Sequence, residues 1–529
     1  MVQMNRRQML KCIAATSGIG LVRPAFGGND SRVLRFVPQG NLNHPDPLVT
    51  IAPNARNAGH MIWDSLYGQT IKGEVLPQMV AGHDVSANGR TWRFTLRDGL
   101  LFHDNEPVRA ADCVASFNRW AKRRSIGQKL LEELDQIRVL DDRRFEIVTK
   151  GPFPRMITML GRDTFFFVMP ERVANTPPLQ QISEFAGSGP YRFATDEWRP
   201  GARAVFTRFE KYNPRQEPAD FLSGGKRVAF DRVEWTSLPD PATAAAALQR
   251  GEVDWVHRPL SDLLPLLRRA PGVKLMANDP FGSMLMLLFN HVQPPFNNPK
   301  LRLALLPAID QKAFVQAAVG DDPALAHTGV GFFSPGLGMN SSVGLDALTG
   351  PRDIALARKL VGESGYGGEK VVVLSPTNIP EQQAICDVAR DLFTRIGLNV
   401  EYVSLDQGAL EKRRLSREPT DKGGWSVVAI TFDGLSAADP SSHQALRGNG
   451  AKGFFGWPTS PELESLRDQW FLIEDLASQK KICAEMQRVA WQQMPFMPLG
   501  HWFAPMAMRD NLQDVVKAPF PIFWNVRRA

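Results

Sequence analysis

The sequence predicts an α/β protein built from two separate sheets with helices packed against them. Two strand–helix–strand patterns support this prediction, one over residues 233–256 and one over residues 371–403. A helix that connects two strands at this spacing is the crossover of a parallel sheet. The chain has 529 residues, which is long enough for two or three compact lobes with separate cores.

The first pattern contains a helix with clear boundaries. Residues 233–235 predict a strand, and Asp240 followed by Pro241 predicts the N-cap and the first turn of a helix. Gly251 predicts the end of that helix, because glycine readily adopts the left-handed conformation that terminates helices. Residues 253–256 then predict the strand that completes the crossover.

The second pattern lies nearer the C-terminus and is followed by a buried strand. Residues 371–374 predict a strand, residues 380–396 a helix, and residues 398–403 a further strand. Gly397 closes the helix. The predominantly apolar segment 425–430 predicts a strand that is buried on both faces.

Strands of a different kind are predicted nearer the N-terminus. Residues 91–97 alternate, so that Trp92, Phe94 and Leu96 lie on one face. Strict alternation is typical of a half-buried strand. Residues 144–148 show the same period. The protein is therefore predicted to contain mixed sheets flanked by helices.

The first 27 residues predict an export signal. The pair Arg6 and Arg7 precedes a short apolar run over residues 12–22 and small residues at its end. The pair resembles the twin-arginine signal, which is read by a receptor that exports folded proteins. Lys11 stands before Cys12, where a lipoprotein needs a small residue, so no lipid anchor is expected. We expect a periplasmic protein that begins near residue 28.

The charge distribution argues against a nucleic-acid partner. The formal net charge is +7, but residues 1–27 contribute four basic and no acidic residues, which leaves +3 for the remainder. The sequence has no dense stripe of Lys and Arg interleaved with aromatic residues. It also has no run of about 18 apolar residues, the length that crosses a bilayer.

The sequence contains no motif that supports catalysis, a metal site or a cofactor. The nine histidines include no H-E-x-x-H pattern, and neither G-x-S-x-G nor G-x-x-x-x-G-K occurs. Residues 448–453 match G-x-G-x-x-G, but they lack the preceding strand and following helix of a dinucleotide site. Cys113, Cys386 and Cys483 are expected to be buried thiols, although one disulfide among them stays open.

One long block resembles a known family. Residues 89–112 read G-R-T-W-R-F-T-L-R-D-G-L-L-F-H-D-N-E-P-V-R-A-A-D. This block resembles the signature of the extracellular family-5 solute-binding proteins, the dipeptide, oligopeptide and nickel-binding group of ABC importers. Further blocks follow in the family's order, among them residues 63–67, 187–191 and 248–254. The resemblance spans roughly residues 32–525.

The resemblance implies a type II periplasmic binding protein of the large cluster, with two lobes on either side of a ligand cleft. Paired crossing strands would join the lobes, and an additional subdomain would extend the first lobe. Ligand binding is expected to close the lobes, and the closed monomer is expected to engage an inner-membrane permease. The expected division places residues 28–55, 185–278 and 496–529 in the first lobe, residues 56–184 in the subdomain and residues 279–495 in the second lobe.

Three residues depart from the family pattern. Pro307 is expected to kink or end the helix that follows Arg302, because proline removes a helical hydrogen bond. Asn105 stands where the family usually has glycine, so left-handed backbone is expected there. Arg109 replaces a common threonine cap, which weakens the start of the next helix.

Asp433 is the leading candidate for a ligand contact. It follows the predicted strand 425–430, and ligands of α/β sheets gather outside the carboxyl ends of strands. In peptide-binding relatives an aspartate near this place holds the α-ammonium group of the ligand. The alternative is a loop aspartate that accepts hydrogen bonds from its own backbone at the Gly434 turn.

Four further residues are candidates for the cavity wall. Phe432, Trp425 and Trp457 would supply apolar contact with little selectivity, which suits a broad binder. Ordinary core packing is the alternative for each of them, and the favoured one for Trp425. Asn290 ends an apolar run, where it contacts ligand or pairs with buried backbone.

Di- or oligopeptides are the first hypothesis for the ligand. Nickel chelates, haem, sugars and opines compete within the same family, because the fold is shared while the pocket differs. From other classes, a secreted hydrolase and a peptide-holding chaperone are kept as alternatives. No catalytic residue, metal ligand or cofactor is predicted.

Overall fold

The computed structural model describes residues 30–50 and 52–529, and the predicted leader, residues 1–27, lies outside the described residues. Two large sheets dominate this part of the chain and define two lobes. The seven-stranded sheet of the first lobe runs from edge to edge through Val273–Met276, Met506–Arg509, Trp255–Val256, Val33–Val37, Arg232–Thr236, Arg203–Arg208 and Tyr191–Phe193.

The crossover predicted for the first lobe is confirmed. The strand Val33–Val37 lies between Arg232–Thr236 and Trp255–Val256 and is parallel to both. The helix Pro241–Arg250 connects these two neighbours. The Asp240 carboxylate caps the helix by accepting a hydrogen bond from the Thr243 N–H at 2.7 Å, and Gly251 ends it with a φ of 75°.

The second lobe is built on a mixed six-stranded sheet. The helix Pro380–Arg395 connects two parallel strands of this sheet, as predicted. The strand Ser283–Phe289 is buried along its whole length and is antiparallel to both of its neighbours. From edge to edge the sheet runs through Ala326–His327, Phe496–Trp502, Ser283–Phe289, Val427–Asp433, Lys370–Pro376 and Asn399–Leu405.

A four-stranded antiparallel sheet forms the centre of a third unit. Its order is Val80–Val85, Thr91–Leu96, Arg144–Thr149 and Leu134–Val139. The apolar side chains of the alternating strand are buried on one face, as predicted. Two short hairpins pair Tyr67–Gln69 with Val75–Pro77 and Leu512–Gln513 with Arg527–Arg528.

Helices cover the sheets. None of the helices in residues 30–50 and 52–529 is long and apolar enough to cross a membrane. The α-helices are Pro53–Ile62, Ala110–Ala121, Ser125–Glu133, Met156–Arg162, Glu171–Ala174, Pro241–Arg250, Leu264–Arg269, Pro299–Ala304, Gln311–Val319, Asp346–Thr349, Ile354–Glu363, Pro380–Arg395, Gln407–Arg413, Pro461–Phe471 and Leu476–Gln493.

The chain passes twice between the two large sheets. The first crossing, residues 277–282, joins the edge strand of the first lobe to Ser283–Phe289. The second crossing, residues 503–505, follows Phe496–Trp502. That strand pairs with Ser283–Phe289 and therefore belongs to the second-lobe sheet. When each lobe is defined by its sheet, the chain returns to the first lobe after this strand, not at residue 496 as predicted.

The helix Pro53–Ile62 also packs differently from the predicted division. Its residues Ala58 and Met61 are buried in the same apolar cluster as Leu34 and Phe36 of the first-lobe sheet. Most of this helix was expected in the subdomain, residues 56–184. Its packing places it with the first lobe, where it reaches the space between the lobes.

Two of the three residues that depart from the family pattern, Pro307 and Asn105, have the backbone conformation that the sequence predicts. The helix Pro299–Ala304 ends before Pro307, which lies in a short 3-10 turn. Asn105 has a φ of 71°. At the start of Ala110–Ala121, the Arg109 N–H donates to the Asp112 carboxylate at 2.7 Å, which is one of the two hydrogen bonds of a capping box. Cys113, Cys386 and Cys483 are buried free thiols.

Candidate functional site

A cavity of about 620 Å³ lies between the two lobes. One wall comes from Thr50, Ala52, Pro53 and Arg56 together with residues 124–126 and 162–165, all of the first lobe and its subdomain. The opposite wall comes mainly from residues 407–415 and 430–436 of the second lobe. A volume of this size lies within the ordinary range for small-ligand sites.

Asp433 lies in this cavity, where the sequence predicted a cleft residue. It is the last residue of the strand Val427–Asp433, and its side chain is 35% exposed. One carboxylate oxygen accepts the Ser436 N–H at 3.0 Å. The other accepts Arg56 Nη1 at 3.2 Å. Asp433 therefore accepts a backbone hydrogen bond within its own turn and also faces the cavity.

Arg56 is the partner of Asp433 that sequence reasoning missed. It belongs to the first lobe, so the ion pair joins the two lobes across the cavity. Its side chain is only 8% exposed, and the guanidinium lies 4.0 Å from the centre of the Phe520 ring. The available signal was an arginine in a helix whose other residues predict burial, since a buried arginine needs a partner.

Phe432 also lines the cavity, as predicted. Its ring stacks on His443 with 5.6 Å between centroids and meets the edge of Phe454 at 5.9 Å. Burial lowers the pKa of His443 to about 3, so this ring is neutral and packs as an aromatic group. Phe165 and Phe455 complete an aromatic lining that the sequence did not single out.

Trp425, Trp457 and Asn290 do not line the cavity. Trp425 is fully buried in the second-lobe core, and its Nε1 donates to the Ser416 carbonyl. Trp457 packs against Trp425 and is almost fully buried. Asn290 is fully buried, and its Nδ2 donates to the Trp425 carbonyl at 3.0 Å. These three side chains are core residues in the structure, which is the alternative that the sequence left open for each of them and favoured for Trp425.

Four arginines face the cavity from both sides. Arg56 pairs with Asp433. Arg124 Nε donates to Asp163 Oδ2 at 2.9 Å, and Arg162 pairs with Asp439 across the lobes. Arg414 is the fourth. The cavity thus combines aromatic rings with an unusual density of charged groups.

No histidine is among the described residues that line the cavity. Within residues 30–50 and 52–529, no group of three His, Cys, Asp or Glu side chains is placed to hold a metal ion.

Two lobes, a double crossing and a cavity between them define the class: a bilobal solute-binding protein. The model of the bacterial extracellular solute-binding proteins, family 5 (middle), matches residues 74–451. The chain belongs to this family.

Individual relatives extend the match to the whole chain. A probable peptide ABC transporter periplasmic-binding protein, y4tO of Sinorhizobium fredii, is 38% identical over 525 residues, covering 98% of this chain and 97% of the relative. The glutathione-binding protein GsiB of Escherichia coli K12 is 23% identical over 472 residues, covering 87% of each chain. A dipeptide-binding protein from Pseudoalteromonas, solved with Met-Leu, shares the fold with a TM-score of 0.77, 19% identity, and coverage of 94% of this chain and 100% of that chain.

Proposed function

We propose that this protein is the periplasmic substrate-binding component of an ABC importer. It captures a peptide or peptide-like solute in the cavity between its lobes and delivers it to an inner-membrane permease. The observation that carries this proposal is Asp433, a carboxylate at the end of a strand that faces the cavity. Membership of the family and the names of the relatives support the same assignment.

Asp433 receives the ligand's α-ammonium group in this proposal. A carboxylate has about four lone-pair positions, and the Ser436 N–H and Arg56 occupy two of them. An ammonium group enclosed by the lobes loses water, and it needs a charged partner to offset that loss. The partial exposure of Asp433 leaves its carboxylate accessible from the cavity.

Ion pairs between the lobes link ligand capture to lobe closure. Arg56–Asp433 and Arg162–Asp439 each join residues of opposite walls. A ligand that contacts both walls shifts the lobes towards this closed arrangement, a hinge motion about the two crossings. A micromolar ligand supplies about −8 kcal/mol in total, which includes the free energy of closure.

Export and assembly state complete the proposal. The twin-arginine pair of residues 1–27 directs the folded protein to the periplasm, where it acts as a monomer without a lipid anchor. Fractionation of a strain that lacks the twin-arginine translocase tests the route, since secretion in that strain would contradict it. Light scattering of residues 28–529 tests the assembly state.

A thermal-shift screen followed by calorimetry tests the ligand assignment. Free-amine di- to tetrapeptides should raise the unfolding midpoint of residues 28–529 in proportion to their concentration, and N-acetylated versions should not. Asp433→Asn should weaken binding of the free-amine peptide by tenfold or more, with little change for the acetylated one. The exposed Asp321→Asn is the matched control.

Competing ligands belong in the same screen. Ni(II) chelates, haem, sugars and opines should leave the midpoint unchanged. If one of these classes raises the unfolding midpoint and no peptide does, the protein is still a binding protein, but the peptide assignment is wrong.

A further inference from the structure

One uncharged side chain in the cavity lining has no hydrogen-bond partner at either end. Gln69 lines the cavity and is fully buried. Neither its Nε2 nor its Oε1 is hydrogen-bonded to any residue of 30–50 and 52–529. A buried donor and a buried acceptor that stay unpaired are unfavourable, because no hydrogen bond offsets their desolvation. Gln69 is therefore a group whose partners must come from outside the described chain.

The backbone of Gln69 is held firmly. It is the last residue of the strand Tyr67–Gln69, which pairs with Val75–Pro77 in a hairpin. Its carbonyl accepts the Leu222 N–H at 3.0 Å. The helix Met156–Arg162 lies so close to the hairpin that a Cβ atom on Gly161 would be 2.2 Å from Val75 Cγ1. The hairpin thus presents the amide from a fixed position, as a recognition group requires.

The second lobe encloses the hairpin that carries Gln69. Leu222 of the first lobe packs in one apolar cluster with Leu337 and Leu435 of the second lobe. A Cβ atom on Gly73, in the turn of the hairpin, would lie 2.5 Å from Leu337 Cδ2. Separation of the lobes would remove these contacts and give water and an entering ligand access to the hairpin. Closure therefore decides whether the Gln69 amide has a partner.

The charge beside this hairpin is already compensated. Arg162 Nη2 donates to the Gly73 carbonyl at 3.1 Å, and the same guanidinium pairs with Asp439 of the second lobe. Shortly after Asp439, Ser442 and Gln444 add uncharged polar side chains to the cavity lining. An ion pair that is already formed gains little from a further charge on the ligand. The ligand group expected beside Gln69 is therefore polar and neutral.

An amide on the ligand is the chemical match for the Gln69 amide. Two amides can exchange N–H···O=C hydrogen bonds, which satisfies a donor and an acceptor on each. A primary carboxamide carries its N–H and C=O on one edge, so it can meet both ends of Gln69. A trans peptide group points its N–H and C=O in opposite directions, so it can meet only one end.

We propose that Gln69 recognises an amide group of the captured ligand, so that the lobes close on a solute that supplies this partner. This inference deepens the proposed function and rests on it, because it places the amide on the captured peptide. The amide belongs either to an Asn or Gln side chain or to the peptide main chain. In both cases the ligand offsets a desolvation that closure imposes on the protein.

Calorimetry of residues 28–529 as wild type and as Gln69→Met tests this inference. Methionine is close to glutamine in length and lacks both polar atoms. If a side-chain carboxamide is recognised, the wild type should bind Ala-Gln about tenfold more tightly than Ala-Met, and Gln69→Met should lose this preference. If the peptide group is recognised, Gln69→Met should weaken Ala-Ala by about tenfold and its ester analogue, alanyl-lactate, by clearly less.

Two controls distinguish recognition from folding. Gln136→Met makes the same change at an exposed position of the strand Leu134–Val139 and should bind every ligand as the wild type does. The ligand-free unfolding midpoint of Gln69→Met should not fall, because two unpaired buried atoms are removed. Unchanged affinity for all four ligands in Gln69→Met, or an equal loss for all four, would overturn the inference and leave the peptide function standing.

Failure of the peptide function itself gives a different result. If the wild type binds none of these ligands, glutaramide replaces them as a probe with carboxamides and no ammonium group. Glutaramide binding that disappears in Gln69→Met and persists in Gln136→Met would keep the amide site and show that the peptide assignment is wrong. No binding of glutaramide would overturn both proposals.

Discussion

Asp433 serves two structural purposes at once. Its carboxylate fixes the turn that follows Val427–Asp433 through the Ser436 N–H and joins the lobes through Arg56. A residue held from two directions presents its remaining lone pairs in a defined orientation, which is what recognition of an ammonium group requires. Replacement by asparagine keeps the turn and removes the charge, so the two contributions are separable.

Asp279 has a pKa that is strongly shifted by its surroundings. It lies in the first crossing, residues 277–282. Burial raises its pKa to about 7; the negative charge of Asp433 acts in the same direction, and Arg258 opposes it. A raised acid pKa means that the folded state binds a proton more tightly than the unfolded state. The resulting loss of stability grows from about pH 4 to about pH 7 and persists above it.

Asp279→Asn should therefore stabilise the protein at high pH. We expect its apparent free energy of unfolding to exceed that of the wild type by about 1–3 kcal/mol at pH 8, and by clearly less at pH 5. Urea melts at both pH values measure the difference. The exposed Asp321→Asn should show no such dependence, and a gain for Asp279→Asn that is equal at both pH values would contradict the titration of this carboxyl.

At the scale of elements, the turn after Val427–Asp433 is packed directly on the first crossing. The Gly434 N–H donates to the Gly282 carbonyl at 2.9 Å. A Cβ atom on Gly434 would lie 2.1 Å from the Phe281 carbonyl oxygen and 2.3 Å from that of Gly282. Both contacts are with backbone, so the crossing must move if this glycine gains a side chain.

Gly434→Ala should weaken ligand binding by tenfold or more and lower the free energy of unfolding by about 1–3 kcal/mol. The reason is that it displaces both the hinge and Asp433. Calorimetry and urea melts measure the two effects. Gly362→Ala is the matched control: it lies in the helix Ile354–Glu363 with open space around it, and should leave binding unchanged. Unchanged binding in Gly434→Ala would show that the turn and crossing are not coupled.

Local sequence signals predicted most single elements correctly. Helix Pro241–Arg250 has the N-cap, the first-turn proline and the terminal glycine that the sequence predicts. The sheet partners of Phe496–Trp502 were not predictable in this way. This strand pairs with Ser283–Phe289, which lies more than 200 positions away in the sequence, and no local periodicity indicates that pairing.

At the scale of the whole molecule, the lobes also touch beyond the cavity. Lys129 of the subdomain lies 3.4 Å from Asp468 of the second lobe. Nearby, the Arg155 guanidinium lies 4.6 Å from the centre of the Trp470 ring. None of these four residues lines the cavity. We therefore expect them to act on ligand affinity only through the proposed equilibrium between open and closed lobes.

Asp468→Lys should weaken ligand binding by about two- to fivefold, because it places like charges across the closing interface. The stability of the ligand-free protein should change little. The double variant Lys129→Glu with Asp468→Lys should recover part of the loss, and all three differences should shrink in high salt. Calorimetry at two ionic strengths measures them, and a salt-independent loss would contradict an electrostatic contact between the lobes.

The α/β class, the two crossovers, the family and the place of Asp433 at the end of a strand were all predictable from the sequence alone. These follow from periodicity, caps and ordered motifs, which act over a few residues. The packing of distant segments, visible only in the three-dimensional structure, shows that Phe432 lines the cavity while Trp425, Trp457 and Asn290 are core, and that Arg56 and Arg414 face the cavity. Whether a side chain meets ligand or core depends on which distant segments pack against it, and that is settled by the approach of the two lobes.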